Sequence, residues 1–272
     1  MSEKIIDKGL EKFNTICITQ IASTILNLIG IEKNSEMAEP INEVLNLYGG
    51  FASCDRIFMY NPDAIAQWIF NKYKKYSEPA KKISTGALEM LSVIPPKTPV
   101  CFASMYSGLQ PEKHGIQKYE KPVLKCTTIF DCLVAAGKKV AIVSTEGDSI
   151  SLIFLERKMD YFIYKSVKEC NDKAKELINE DKYDVIILYN TNYDYWMHRV
   201  SPTGFAAVNA LKNNFKTYIE LTNLLKEKWS GKHKTALSFA PDHGCHRLAG
   251  ILGTHGINAP CDMNIVHLWN VI

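Results

Sequence analysis

A chain of 272 residues, 46% hydrophobic and 22% charged, can bury a sizeable core, which excludes wholesale disorder. Its 32 basic residues against 29 acidic ones leave a formal charge of +3, too small an excess to argue for nucleic-acid binding. The 8 cysteines are scattered without a CxxC pair, Met1 opens the polar stretch MSEKIIDKGLEK with no apolar leader region, and no apolar run reaches membrane-spanning length. The expectation is a soluble, cytoplasmic protein with reduced thiols that are mostly core filler.

Taken in chain order, the pattern predicts helix first. Ile18, Ile21, Ala22, Ile25, Leu26 and Ile29 fall at helical spacing before Gly30, and a second helix is expected over Ala38 to Leu47. Arg56 to Asn61 is a short apolar run stopped by Pro62 and predicts a strand; Ala64 to Tyr73 returns to helical spacing. Further strands are expected at Val140–Ser144, Asp184–Asn190, Thr235–Ala240 and Ile265–Val271. Helices at about 128–136, 168–180 and 205–229 precede the first three of these. Strands that are apolar throughout and alternate with helices imply a mostly parallel sheet covered on both faces. The fold class is α/β, a single domain over residues 1–272 whose first 54 residues form a helical N-terminal extension.

In such sheets ligands bind beyond the carboxyl ends of the strands. Three of the expected strands deliver an aspartate there: Asp63, Asp194 and Asp242. One alone is an ordinary turn or cap residue; three, two of them beside histidines, need a joint explanation. Asp194 and His198 are four apart and share a face if that segment is helical. Asp242-His243-Gly244 puts both ligand types on one turn that Gly244 lets bend, and Gly253-Thr-His255-Gly256 presents an imidazole between glycines. Carboxylates and imidazoles without thiolates suit zinc, manganese or iron, and six such ligands suit two ions rather than one. His246 and His267 lack a partner pattern and read as structural, and His233, among lysines, reads as solvated. Thr98, placed to cap a helix that Pro99 begins, carries a hydroxyl where backbone N–H groups favour an anion.

These segments resemble the alkaline phosphatase superfamily, and within it the type I phosphodiesterase/nucleotide pyrophosphatase branch. TPVCFASMYSGLQPEKHGI (98–116) is similar to the nucleophile segment of that branch, DYWMHRVSP to its D-x-x-x-H-x-x-x-P motif, PDHG to its S/T-D-H-G motif and GTHG to its G-x-H-G motif. The resemblance implies one metal site of Asp194, His198 and His255 and a second of Asp63, Asp242 and His243 with the Thr98 oxygen. It implies Thr98 as nucleophile and His114 as a non-ligand. Two departures stand out: the family usually shows D-G where this chain has Asp63-Ala64, and Cys101 stands where an asparagine commonly contacts phosphate.

The expected activity is two-metal hydrolysis of phosphodiesters or phosphoanhydrides through a phospho-threonine, with zinc as the expected metal and manganese as the alternative. Cys101, Arg199 and Arg247 are candidate substrate contacts. The alternatives are a phosphomonoesterase or phosphonate hydrolase on the same metals, or a non-catalytic metal-stabilised binding protein. The expected partner is a small phosphorylated or nucleotide substrate, with no stable nucleic-acid or membrane association.

Overall fold

The computed structural model describes residues 12–249 and 251–272; the polar opening stretch read for leader signals lies outside them up to residue 11. Among the described residues are ten strands: β1 (Ile16–Cys17), β2 (Arg56–Pro62), β3 (Gly86–Leu91), β4 (Val140–Thr145), β5 (Asp160–Tyr164), β6 (Val185–Asn190), β7 (Thr235–Phe239), β8 (His246–Leu248), β9 (Leu252–Thr254) and β10 (Asn264–Val271). Eight of them form one sheet in the order β1-β3-β10-β7-β2-β6-β4-β5, and β8 and β9 pair as a separate hairpin. Within the large sheet β10 alone runs against its neighbours, antiparallel to both β3 and β7. The fold class is therefore α/β with a mostly parallel central sheet.

The apolar runs of the central strands follow from cover on both faces. In β2, Ile57 and Met59 join one core layer and Phe58 and Tyr60 the other. In β6, Val185, Ile187 and Tyr189 face the first layer while Ile186 and Leu188 face the second. Helices Gln20–Leu28, Thr98–Ser107 and Ile129–Ala135 close the first layer, and Val167–Glu180 and Phe205–Trp229 close the second. Each fully buried aliphatic side chain contributes about 1.5–3 kcal/mol to that closure.

Several elements depart from the pattern-based expectation. Residues 12–54 are not an appended helical arm: β1 pairs in parallel with β3, and Ile21, Ile25 and Leu28 of the first described helix are fully buried in the core layer closed by helices Thr98–Ser107 and Ile129–Ala135. The second helix runs Asn42–Tyr48, and Tyr48 donates its hydroxyl to Asn270 O at 2.9 Å on β10. Strand β3 alternates exposed with buried residues and so offers no apolar run, while the short run Tyr161–Tyr164 of β5 lies at the sheet edge, where none of its residues is fully buried. His233 is not solvated; it bridges Asp55 at 3.2 Å and Asp181 at 2.9 Å.

Candidate metal centre

The carboxyl edge of the sheet collects the candidate ligands. Asp63 follows β2 directly, its N–H still bonded to Asn190 O at 3.0 Å as a continuation of the β2–β6 ladder. Asp242 lies three residues past β7, and Asp194 and His198 sit on the helix Asn192–Val200 that follows β6. His255 comes just after the β8–β9 hairpin. Gly253 allows that hairpin to lie against the Asp194 helix, since a Cβ there would come within 2.6 Å of Met197 O. Gly244 likewise serves close approach rather than bending: a Cβ on it would lie 2.2 Å from Cys261 O.

Two groups result, each with its donor atoms within 4.8 Å of one another: Asp63, Asp242 and His243, and Asp194, His198 and His255. In the first, His243 Nε2 lies 3.5 Å from Asp63 Oδ1 and 3.3 Å from Asp242 Oδ2. In the second, Asp194 Oδ1 lies 3.2 Å from His198 Nε2 and 3.5 Å from His255 Nε2. The groups adjoin, with the His243 and His255 rings stacked at 4.0 Å between centroids. Thr98 Oγ1 reaches the first group at 3.3 Å from His243 Nε2. Thr98 is the first residue of its ten-residue helix and Lys97 the cap, one position earlier than the sequence suggested.

The donor sets fit divalent cations. Asp63 Oδ1, Asp194 Oδ1 and Asp242 Oδ2 are buried and accept no hydrogen bond among the described residues. Each of the three imidazoles spends Nδ1 on a backbone carbonyl: His198 on Gly253 O at 3.0 Å, His243 on Gly244 O at 2.9 Å and His255 on Pro96 O at 2.8 Å. That fixes the tautomer and turns every Nε2 toward the carboxylates, the arrangement that orients metal-ligating histidines. Burial, with Asp242 and Asp194 nearby, holds the Asp63 carboxyl well above the usual range, and burial pushes Asp242 up to about 7. Burial also opposes charge on Asp194, but His198, His255 and His243 outweigh it and hold that carboxyl low. Burial, then His243, keeps His255 neutral down to about 4. Two buried carboxylates side by side with neutral imidazoles lack only positive charge, which two cations would supply.

Other contacts around the site were invisible in the sequence. Tyr189 on β6 donates its hydroxyl to Asp63 Oδ2, leaving Oδ1 free. Ala64 takes φ +61°, the left-handed conformation that favours glycine, and donates its N–H to Asp242 Oδ1 at 3.3 Å. The departure from D-G thus changes the residue and keeps the glycine-like backbone. The candidate substrate contacts have partners of their own. Cys101 is fully buried, its thiol 3.2 Å from Ser92 Oγ. Arg199 stacks on Tyr195, with its guanidinium 3.5 Å from the ring centre, and Arg247 donates to Thr203 Oγ1 at 2.6 Å. His114 Nε2 meets Ser104 Oγ at 2.8 Å in the core.

The α/β architecture is similar to that of solved proteins described as nucleotide pyrophosphatase/phosphodiesterases and as a phosphonoacetate hydrolase. Murine ectonucleotide pyrophosphatase/phosphodiesterase 5, an inactive Thr-to-Ala variant in complex with AMP, superposes with a TM-score of 0.58 at 16% identity over 72% of this chain and 58% of that one. The human protein of the same name gives 0.56 at 16% identity, over 71% and 58%. Phosphonoacetate hydrolase from Sinorhizobium meliloti 1021, in complex with phosphonoformate, gives 0.51 at 18%, over 70% and 56%. The chain therefore spans less than two thirds of each of these relatives. No protein-family model and no curated protein sequence matches it.

Proposed function

We propose that the chain is a two-metal hydrolase of phosphodiester or phosphoanhydride bonds in small phosphorylated or nucleotide substrates. The observation that carries this reading is the convergence of two carboxylate–imidazole groups, with unpartnered buried oxygens, on the hydroxyl of Thr98. Asp194, His198 and His255 would hold one ion; Asp63, Asp242 and His243, with Thr98, would hold the other, zinc being favoured by the N/O donor set and manganese compatible with it. When bound, such ions supply Lewis acidity that offsets phosphate charge and favours ionised oxygen at neutral pH.

The chain's own groups do the rest. Thr98 stands at the start of a ten-residue helix, where free backbone N–H groups and the helix dipole favour a phosphate. Its Oγ1 forms a bond to phosphorus as the ester oxygen leaves, and water then cleaves the phospho-threonine and restores the hydroxyl. The carbonyl of Pro96, two residues before the nucleophile, holds His255 in place and ties the second group to the first. The AMP and phosphonoformate complexes of the structural relatives support a small anionic substrate.

Hydrolysis of a monoester or phosphonate on the same residues is favoured by one contact: the ammonium of Lys97, the residue before Thr98, lies over Gly256, the residue after His255, 3.1 Å from where a Cβ would be. A dianion needs such a cation more than a diester does. The 8 free thiols support a reducing compartment, and among the described residues no helix is long and apolar enough to cross a membrane. The test is metal content by elemental analysis together with turnover of bis- and mono-(p-nitrophenyl) phosphate. Two ions per chain and a preference for the diester are expected; metal-free protein whose activity ignores chelators would sink the reading.

A further inference from the structure

Beside the two groups lies a third set of ligand-type side chains, His246, Cys261 and Asp262, whose donor atoms also fall within 4.8 Å of one another. One difference decides its role. The other carboxylates have an oxygen to spare, whereas both oxygens of Asp262 are taken. Its Oδ1 lies 2.8 Å from His246 Nδ1, and Oδ2 accepts from the backbone N–H groups of Gly256 at 2.8 Å and Ile257 at 3.0 Å. Its backbone carbonyl accepts the N–H of Gly244 at 2.7 Å. The side chain is fully buried, so no water replaces these partners. A satisfied carboxylate of this kind is a clamp, not a vacant cation site.

The residues it clamps carry the argument. Gly256 follows His255, and Gly244 follows His243, so one aspartate grips the backbone next to an imidazole of each group. Its position follows from the sheet: β10 is reversed, so the residues just before it arrive at the edge where the parallel strands end. We propose that Asp262 is a positioning residue shared by both metal groups: its side chain sets the loop of His255 and its backbone carbonyl the turn of His243, at the separation two cations require. This inference rests on the two-metal reading above. Ligand positions must hold to about 0.5 Å for a tight site, and the loss of such supporting contacts weakens metal affinity by about 10–100-fold.

The test is zinc titration against a chromophoric chelator, with thermal melting of the metal-free protein, on wild type, Asp262→Ala, Asp262→Asn and His246→Ala. Asp262→Ala should weaken zinc at the His255 site by at least about tenfold, and the His243 site, whose turn is held by the backbone carbonyl that alanine keeps, should change far less. Asp262→Asn should stay within about threefold, because its amide oxygen still accepts the loop N–H groups and its amide N–H meets His246 in the other tautomer. His246→Ala should bind as many zinc ions as wild type. Should Asp262→Ala not fold, Asp262→Glu takes its place: it keeps the charge but displaces the oxygens by a methylene, and must lose at least tenfold as well.

Unchanged affinity in Asp262→Ala, or in Asp262→Glu where that stands in, overturns the proposal, as does equal damage from Asp262→Asn or the loss of a zinc equivalent in His246→Ala. Wild type that binds fewer than two zinc ions instead sinks the two-metal reading, and this proposal with it; two ions in wild type with a tolerant Asp262→Ala sinks the proposal alone.

Discussion

The two ligand groups are built from the same residue types and differ in what carries them. Asp63, Asp242 and His243 hang from the ends of β2 and β7 in the middle of the sheet, with side chains at most 3% exposed. Asp194, His198 and His255 come from a helix and a hairpin loop, and expose 20%, 37% and 6%. The first group is fixed by the strand ladder and closed to water; the second forms the rim. An ion in the first would act as a fixed charge beside Thr98, while the second stays open to whatever enters and leaves. Rigidity falls to the Thr98 side and access to the other.

The sharpest way to break this contrast is at its centre. Thr98→Ala should lower kcat by at least about 100-fold while metal content stays the same, because the carboxylates and imidazoles remain; Thr98→Ser, which keeps the hydroxyl, should retain substantial activity. Steady-state kinetics with parallel metal analysis checks both. Wild-type turnover in Thr98→Ala would reduce the threonine to a helix-start residue.

His255→Ala should empty the rim group and leave the buried ion in place, read as the loss of one metal equivalent with little change in the melting of the metal-free protein. A chelator series on wild type should likewise release metal in two phases, the exposed group first; a single phase would erase the distinction. The complementary change on the buried side is Tyr189→Phe, which removes the hydroxyl holding Asp63 Oδ2. It should weaken that ion by about tenfold and spare the rim.

Smaller effects lie outside both groups. Burial holds His114 at about 4, below its ordinary 6.5, so the folded state resists a proton that the unfolded chain accepts. Its contribution to stability is whole above pH 6.5 and is lost as pH falls toward 4. Metal-free His114→Gln should therefore lose less stability than wild type across that window, measured by urea titration at stepped pH. Smallest is Ala64→Gly. Relief of the left-handed backbone, roughly 1–2 kcal/mol, is opposed by about 0.4–1 kcal/mol of added unfolded-state entropy, so the change should lie near 1 kcal/mol or below.

What could be read without coordinates follows the same divide. The central strands announce themselves because cover on both faces demands unbroken apolar runs, and the aspartates at their ends follow from the edge rule. Asp194 and His198 are legible because helical spacing puts positions four apart on one face. The edges of the sheet are not: β1 has two residues, and β3 alternates exposed Ala87 and Glu89 with buried Leu88 and Met90. Tyr189 and Asp262 were hidden for a different reason. Tyr189 acts on Asp63 from a distant strand, Asp262 acts on the nearby Gly256 and Ile257, and neither sits in a local pattern that signals such a partner.

The reversed strand has one more consequence, for the order in which the molecule can assemble. In the sheet β3 touches only β1 and β10, so these early-synthesised pieces reach the parallel block solely through a strand made near residue 264. On the ribosome, β2, β4, β5, β6 and β7 can pair as they emerge, whereas β1 and β3 wait for β10 to bridge the gap. The loops bearing His243 and His255 lie just upstream of that bridge. A nascent chain halted before Asn264 would thus hold a five-stranded platform without the strand that fixes Asp262 at its carboxyl edge, and the grip on the His255 loop would close only once β10 is made.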